Sequence, residues 1–170
     1  MSCDNQRHRL IPEQPFPPYA FIPGRFPHPE SDPAGHSFGK KRSSAAALDP
    51  ERWMANKTYL YGLDLFNAGF FWESHVEFES LWLGAGRKGP VADFLKALIQ
   101  LAAAGVKHLE GNPTGVNNHA RRAAELWQGV AKTLGTDDVF LGLRLHELIG
   151  IAENVLRRGW PQPSIVLVPV

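Results

Sequence analysis

Cysteine and net charge are what this sequence has least of. The 170 residues include one cysteine, Cys3, and carry a formal charge of +1. One thiol cannot form an intramolecular disulfide or a thiolate metal site, so we expect a reducing, cytoplasmic compartment. The near-neutral charge lacks the basic field that nucleic-acid binding requires, and the dense basic run at 40–42 falls in an expected linker. We therefore expect no nucleic-acid partner.

Long apolar runs are absent as well. No stretch is long and apolar enough to span a bilayer, and the first ten residues lack the apolar core of a signal peptide. A phosphate-binding GK[ST] loop does not occur, which argues against nucleotide binding. With 44% hydrophobic residues the chain can still bury a core. We expect one soluble domain with no membrane partner, and homo-oligomer formation stays open.

Proline is concentrated near the beginning of the chain. Eight of the 14 prolines lie between positions 12 and 33, which excludes a regular helix there and favours extended backbone. This part also holds more aromatic residues than a solvated linker normally has, namely Phe16, Tyr19, Phe21, Phe26 and Phe38. We therefore divide the chain into an arm at 1–45 that docks on the rest, a helical domain at 46–160 and an extended tail at 161–170.

Apolar residues at helical spacing follow the arm. They predict five helices, separated by glycine-rich or proline-containing turns. Asp49 and Pro50 form a cap followed by proline, which places the start of the first helix at Pro50. The five predicted helices are about 50–68, 70–83, 90–110, 115–134 and 143–158. The predicted fold is all-α: a compact bundle of about five helices in antiparallel hairpins, with an extended N-terminal arm and C-terminal tail.

The second predicted helix contains the polar pair on which the functional question depends. His75 and Glu79 lie one turn apart, with aromatic and aliphatic residues on both sides, so we place them at the centre of the apolar face. Glu73 and Ser74 then fall on the opposite, solvated surface, and the helix dipole accounts for Glu73. Burying a carboxylate alone costs several kcal/mol, so Glu79 requires a partner.

Two interpretations of the pair stay open. It is a buried structural pair, or it lines a pocket in which His75 acts as general base and Glu79 orients it. In a metal site both would be ligands, completed by His28 and His36 from the arm. The metal would be zinc, manganese or iron, and metal-assisted hydrolysis is the leading enzymatic hypothesis. Candidate ligand-binding residues around the pair are Asn67, Trp72, Trp82, Arg25, Gln100 and Lys107.

The same segment resembles a known family. The stretches LFNAGFFWESHVEFESLW and FLKALIQLAAAGVKHLEGNPTG are similar to the bacterial and archaeal family catalogued as domain of unknown function 309, over about 59–134. The arm looks like an extension found in longer members. The resemblance implies a small all-helical fold, and Val76 stands where many members have an acid. The signature falls here on Asn67, Gly69, Trp72, Glu73, His75, Glu79 and Trp82.

The sequence thus predicts a polar His/Glu pocket inside a helical bundle. It would bind a metal or a small polar ligand, and hydrolysis is the reaction that such a site would most simply support. The alternative is a non-enzymatic structural or protein-interaction module, in which His75 and Glu79 fix the packing and exposed aromatic residues of the arm recruit a partner.

Overall fold

The computed structural model describes residues 9–40, 45–136, 138–161 and 163–168, so Cys3 and two residues of the basic run, 41 and 42, lie outside the described part. The described residues form five α-helices, one 3₁₀ turn and one short β-hairpin, and the all-α prediction is confirmed. The elements are the 3₁₀ turn Trp53–Ala55, α1 Lys57–Asn67, α2 Phe71–Gly84, α3 Pro90–Leu109, α4 Pro113–Leu134, β1 Val139–Phe140, β2 Leu143–Arg144 and α5 Leu145–Arg158.

Each helix packs on the one that precedes it in the chain. The core lies between them and is built mainly from leucine, alanine and aromatic side chains, with Trp127 its largest fully buried residue. α3 is central, because it contacts α2 on one side and α4 on the other. Its approach to α2 requires Gly105, where a Cβ atom would lie 2.5 Å from Cγ of Phe71. None of the helices in the described ranges is long and apolar enough to cross a membrane.

The first helix begins later than the sequence predicted. α1 starts at Lys57, and its N-cap is Asn56, whose side-chain oxygen accepts the N–H of Tyr59 at 3.0 Å. Asp49 instead accepts the N–H of Glu51 at 2.9 Å, which closes a local turn ahead of the 3₁₀ segment. The prediction of a helix start at Pro50 was therefore wrong, because two residues of capping type compete and the second one caps the helix.

A short hairpin precedes the last helix and was not predicted. β1 and β2 pair antiparallel, with Val139 opposite Arg144 and Phe140 opposite Leu143. The two turn residues, Leu141 and Gly142, have φ of 53° and 75°, which matches the left-handed conformation of tight hairpin turns. The hairpin uses residues that the sequence assigned to the fifth helix, so α5 starts at Leu145 instead of about 143.

The loop between α2 and α3 has the letter pattern of a dinucleotide-binding fingerprint. Residues 84–89 read GAGRKG, which is G-x-G-x-x-G. In a dinucleotide-binding fold this motif joins a strand to a helix. Here it joins the C-terminal end of one helix to the N-terminal end of another, so the loop lacks the strand-to-helix context of the dinucleotide-binding motif.

Candidate functional site

The side of α2 that faces the core differs from the predicted one. Phe71, Phe78 and Leu81 are fully buried, and Ser74 is 0% exposed with its Oγ donating to the carbonyl oxygen of Gly62 at 2.8 Å. The prediction that Ser74 faces solvent was wrong. Apolar residues surround most of the α2 circumference, so the amphipathic pattern does not define one face sharply.

His75 and Glu79 are half-buried in the structure. They lie on the same side of α2, one turn apart, at the margin of the buried face. Nδ1 of His75 is itself buried, and both residues make interactions within the protein.

Glu73 is the buried carboxylate of α2. It is 5% exposed, and its Oε1 atom accepts the backbone N–H of Phe21 at 2.9 Å and lies 3.3 Å from Nε2 of His36. From the sequence, the helix dipole alone accounts for Glu73. The contacts of Glu73 with the arm show that this explanation is incomplete. Glu73 is covered by the arm, and it joins the arm to α2.

A second buried carboxylate holds the start of the described arm. Asp64 on α1 is 5% exposed and accepts the backbone N–H groups of Leu10 and Ile11, each at 2.8 Å. The guanidinium of Arg9 lies 3.7 Å away. A proline-rich segment has few backbone partners of its own, so these carboxylates satisfy N–H groups that burial would otherwise leave unpaired.

A cleft of about 420 Å³ lies between the arm and the first two helices. Its walls combine aromatic, carboxyl and basic side chains, and the His36–Glu73 pair is part of them. The arm contributes Phe16, Glu30, His36, Ser37 and Lys40, while α1 and α2 contribute Tyr61, Trp72, Glu73, Val76 and Glu77. This cleft is the candidate functional site.

Burial sets the electrostatics of the carboxyl group in this cleft. It raises the pKa of Glu73 above the ordinary 4.5, and hydrogen bonds from the backbone N–H groups of Glu73 and Phe21 and from His36 oppose part of that rise. Both donors from the arm reach Oε1. Oε2 is buried and has no hydrogen-bond partner among the residues that the structure describes. One oxygen of this carboxylate therefore receives no hydrogen bond from the described residues.

The predicted metal centre is not found. The described part of the chain contains no group of three or more His, Cys, Asp and Glu side chains that could hold a metal ion. Nδ1 of His28 accepts the N–H groups of Glu30 and Ser31 at 3.3 and 3.2 Å, which closes a turn. His36 contacts Glu73. The predicted ligands His28, His36, His75 and Glu79 are therefore not brought together as a metal site.

Three of the predicted ligand-binding residues bond elsewhere within the protein. Asn67 donates to the carbonyl oxygen of Ile165 and accepts its N–H, both at 2.8 Å, so it holds the C-terminal tail. Oε1 of Gln100 lies 2.7 Å from Nδ1 of His119. Nζ of Lys107 lies 2.6 Å from Oε2 of Glu110.

The other three predicted ligand-binding residues differ in their surroundings. The Trp72 ring lines the cleft and meets His28 edge-on, with centroids 5.2 Å apart. Trp82 instead lies beneath Nζ of Lys96, 4.3 Å from the ring centre. Arg25 is exposed on the arm. Only Trp72 among the six predicted ligand-binding residues lines the candidate site.

Sequence reasoning missed the importance of Asp64, Glu73 and Ser37. A signal for Asp64 existed, because it stands inside the apolar run YLYGLDLF and a carboxylate there has to be partnered. Glu73 had an adequate local explanation in the helix dipole, and no periodicity applies to Ser37 in the arm. The contacts of Glu73 and Ser37 depend on the position of the arm, which sequence patterns do not give.

The helices of the site match a known family model. The model described as Domain of unknown function (DUF309) matches residues 59–119. The matched segment runs from α1 into α4 and ends before the 134 that the sequence suggested. It contains Asp64 and Glu73, whereas the arm residues of the cleft precede it. No curated protein matches the chain.

Proposed function

With membership of the DUF309 family through residues 59–119 as the premise, we propose that this protein binds a small organic cation in the cleft between the arm and α1–α2. The observation that carries the proposal is Glu73, a buried carboxyl group of the cleft wall whose Oε2 has no hydrogen-bond partner among the described residues. An ammonium or guanidinium group in the cleft provides a compensating charge, and it provides the missing donor once the Glu73 side chain turns Oε2 toward the space.

The charges of the cleft support a cationic ligand. Glu30, Glu73 and Glu77 line it, and the basic side chains that the described residues add are Lys40 and His36. Among the described residues that line the space, carboxyl groups therefore outnumber basic groups, although Glu30 and Glu77 also interact within the protein. A carboxylate-rich lining favours small cations over small anions.

The aromatic residues of the cleft support an organic ligand over a bare ion. Trp72, Phe16 and Tyr61 contribute apolar surface, and a volume of about 420 Å³ accommodates a molecule with an aromatic or aliphatic body and one charged end. Tryptophan and tyrosine rings also attract cations placed over their faces. A primary amine on a small apolar body combines these properties.

Binding and protonation are expected to be linked. A cation beside Glu73 favours the ionised carboxylate and so lowers the pKa that burial has raised. Binding should therefore weaken as the pH falls below the pKa of Glu73, because the neutral acid no longer attracts the cation. The neutral analogue of the same ligand should show no such dependence on Glu73.

Calorimetric titration with phenethylamine and 2-phenylethanol tests the proposal, because the two probes differ chiefly in charge. We expect saturable binding of the amine, little binding of the alcohol, and at least tenfold weaker amine binding in Glu73→Gln. Glu125→Gln is the control, since Glu125 is exposed on α4, 3.2 Å from Arg122, and should leave binding unchanged. Equal affinity for both probes, or no effect of Glu73→Gln, contradicts the proposal.

The second candidate function is a non-enzymatic structural or interaction module. The backbone hydrogen bonds from the arm to Asp64 and Glu73 favour it, because they account for both carboxylates through arm docking alone. In that case removal of the residues before 39 lowers the stability of the protein and no probe binds before or after removal. A cation site instead predicts amine binding in the full chain that is lost with the arm.

A further inference from the structure

Three polar groups in the cleft form a continuous line. Oγ of Ser37 lies 2.9 Å from Nδ1 of His36, and Nε2 of His36 lies 3.3 Å from Oε1 of Glu73. All three residues line the same cleft. A hydroxyl group, an imidazole and a buried carboxylate in this order are the parts of an activated nucleophile, its base and the group that orients the base.

The two contacts that join Ser37, His36 and Glu73 require protonation states that are mutually consistent. An ionised carboxylate only accepts hydrogen bonds, so Nε2 of His36 carries the proton that faces Glu73. In the neutral ring Nδ1 then has a free lone pair, and it accepts the hydroxyl proton of Ser37. The imidazole is thus held in the tautomer that can remove a proton from Ser37.

The arm fixes the backbone of both His36 and Ser37. The N–H of His36 donates to the hydroxyl oxygen of Tyr19 at 3.3 Å, and that hydroxyl donates to the carbonyl oxygen of Pro27 at 2.8 Å. The N–H of Ser37 donates to the carbonyl oxygen of Pro29 at 2.9 Å. A catalytic geometry needs this kind of rigid support, because small displacements lower the rate steeply.

We propose that Ser37 is the nucleophile of an acyl-transfer site, with His36 as its general base and Glu73 as the residue that positions His36. The inference rests on the proposed function for its substrate class, which is an ester or amide that also carries an ammonium group. Oε1 of Glu73 contacts His36, while Oε2 remains for the cation of the substrate.

The reaction proceeds in two balanced steps. Oγ of Ser37 forms a bond to the carbonyl carbon as its proton passes to Nδ1 of His36, and the leaving alcohol or amine departs with that proton. Nδ1 then removes a proton from water, the resulting hydroxide attacks the acyl carbon, and the acid is released as Ser37 regains its proton. Lys40 lines the cleft and offers positive charge to the developing oxyanion.

Labelling with an alkyl fluorophosphonate tests the nucleophile directly. The serine oxygen displaces fluoride and forms a stable phosphonate ester, which peptide mass spectrometry locates. We expect the adduct on Ser37, its absence in Ser37→Ala, and at least tenfold slower labelling in His36→Gln. Ser31→Ala is the matched control, since Ser31 is an exposed serine of the same arm, and labelling should be unchanged. No adduct on Ser37 in the native protein overturns the proposal.

The positioning role of Glu73 has its own readout. ¹⁵N NMR of the His36 ring should show the Nε2–H tautomer in the native protein and a mixture of tautomers in Glu73→Gln, with slower labelling of Ser37. An unchanged ring tautomer contradicts this role. The cation site is tested separately. A native protein that does not bind phenethylamine but is still labelled at Ser37 would contradict the cation site and leave the assignment of the nucleophile standing.

Discussion

The backbone N–H of Phe21 donates to Oε1 of Glu73 at 2.9 Å, across 52 positions of the sequence. This hydrogen bond joins the proline-rich arm to the first turn of α2. Because His36 reaches the same oxygen at 3.3 Å, docking of the arm around Phe21 and His36 and construction of the cleft share this carboxyl group. Stability and ligand binding are therefore expected to change together when this group is altered.

Asp64→Asn should destabilise the protein by about 1–3 kcal/mol, because an amide cannot accept both backbone N–H groups of Leu10 and Ile11 without turning a donor toward one of them. Urea denaturation measures the loss. Asp93→Asn is the comparison, since Asp93 is exposed in the first turn of α3, where the helix dipole favours its charge by under about 1 kcal/mol. Equal effects of the two variants would contradict the role assigned to Asp64.

Glu73→Gln should change the pH dependence of stability. The folded pKa of Glu73 is raised above 4.5 by burial, so the folded state binds more protons than the unfolded state between 4.5 and the raised pKa. The contribution of Glu73 is fully present below 4.5 and is lost as the pH rises through that window. The difference in free energy of unfolding between the native protein and Glu73→Gln (native minus variant) should therefore fall as the pH rises. A difference that stays constant or rises with pH would contradict the raised pKa of Glu73.

Asn67→Ala should release the tail and cost about 1–3 kcal/mol, since both hydrogen bonds to the backbone of Ile165 are lost. Chemical denaturation measures the cost, and limited proteolysis should show faster cleavage after α5. The control is Asn118→Ala, at an exposed position of α4, which should be neutral or stabilising by a few tenths of a kcal/mol. Unchanged tail protection in Asn67→Ala would refute the assignment.

Gly105→Ala and Gly129→Ala form a matched pair on neighbouring helices. A Cβ at Gly105 would lie 2.5 Å from the Phe71 ring, so overpacking should cost about 1–3 kcal/mol. A Cβ at Gly129 meets no atom within 4 Å, and the higher helix propensity of alanine should stabilise α4 by up to about 1 kcal/mol. Thermal unfolding of both variants checks the opposite signs. An unchanged or raised melting temperature of Gly105→Ala would show that α2 and α3 can move apart.

The helices could be predicted because their apolar spacing and terminal residues are local properties. α3 begins at Pro90, as its glycine and proline indicated, and ends within one residue of the predicted boundary. The start of α1 and the hairpin before α5 were missed for a physical reason. Asn56 competes with Asp49 for the cap, and the turn at Leu141 has no Asn-Gly or Asp-Gly signal.

The site was harder to predict, since its parts come from segments with no common periodicity. His36 and Glu73 are 37 positions apart, and His36 belongs to the arm, which forms no helix or strand over its described residues 9–40. The sequence correctly required a partner for a buried carboxylate, but helical spacing alone selected Glu79 as that residue. Burial of Glu73 depends on the arm, which helix periodicity cannot describe.

The most direct test of the cation site is a ¹H–¹⁵N NMR titration of the native protein with phenethylamine. The backbone amide of Phe21 reports on Glu73, to which it donates, and the indole N–H of Trp72 reports on the wall of the cleft. The proposed site predicts saturable shifts of both signals with the amine, and none with 2-phenylethanol at the same concentrations. Absence of shifts at these two positions, or the same shifts with the neutral alcohol, would contradict it.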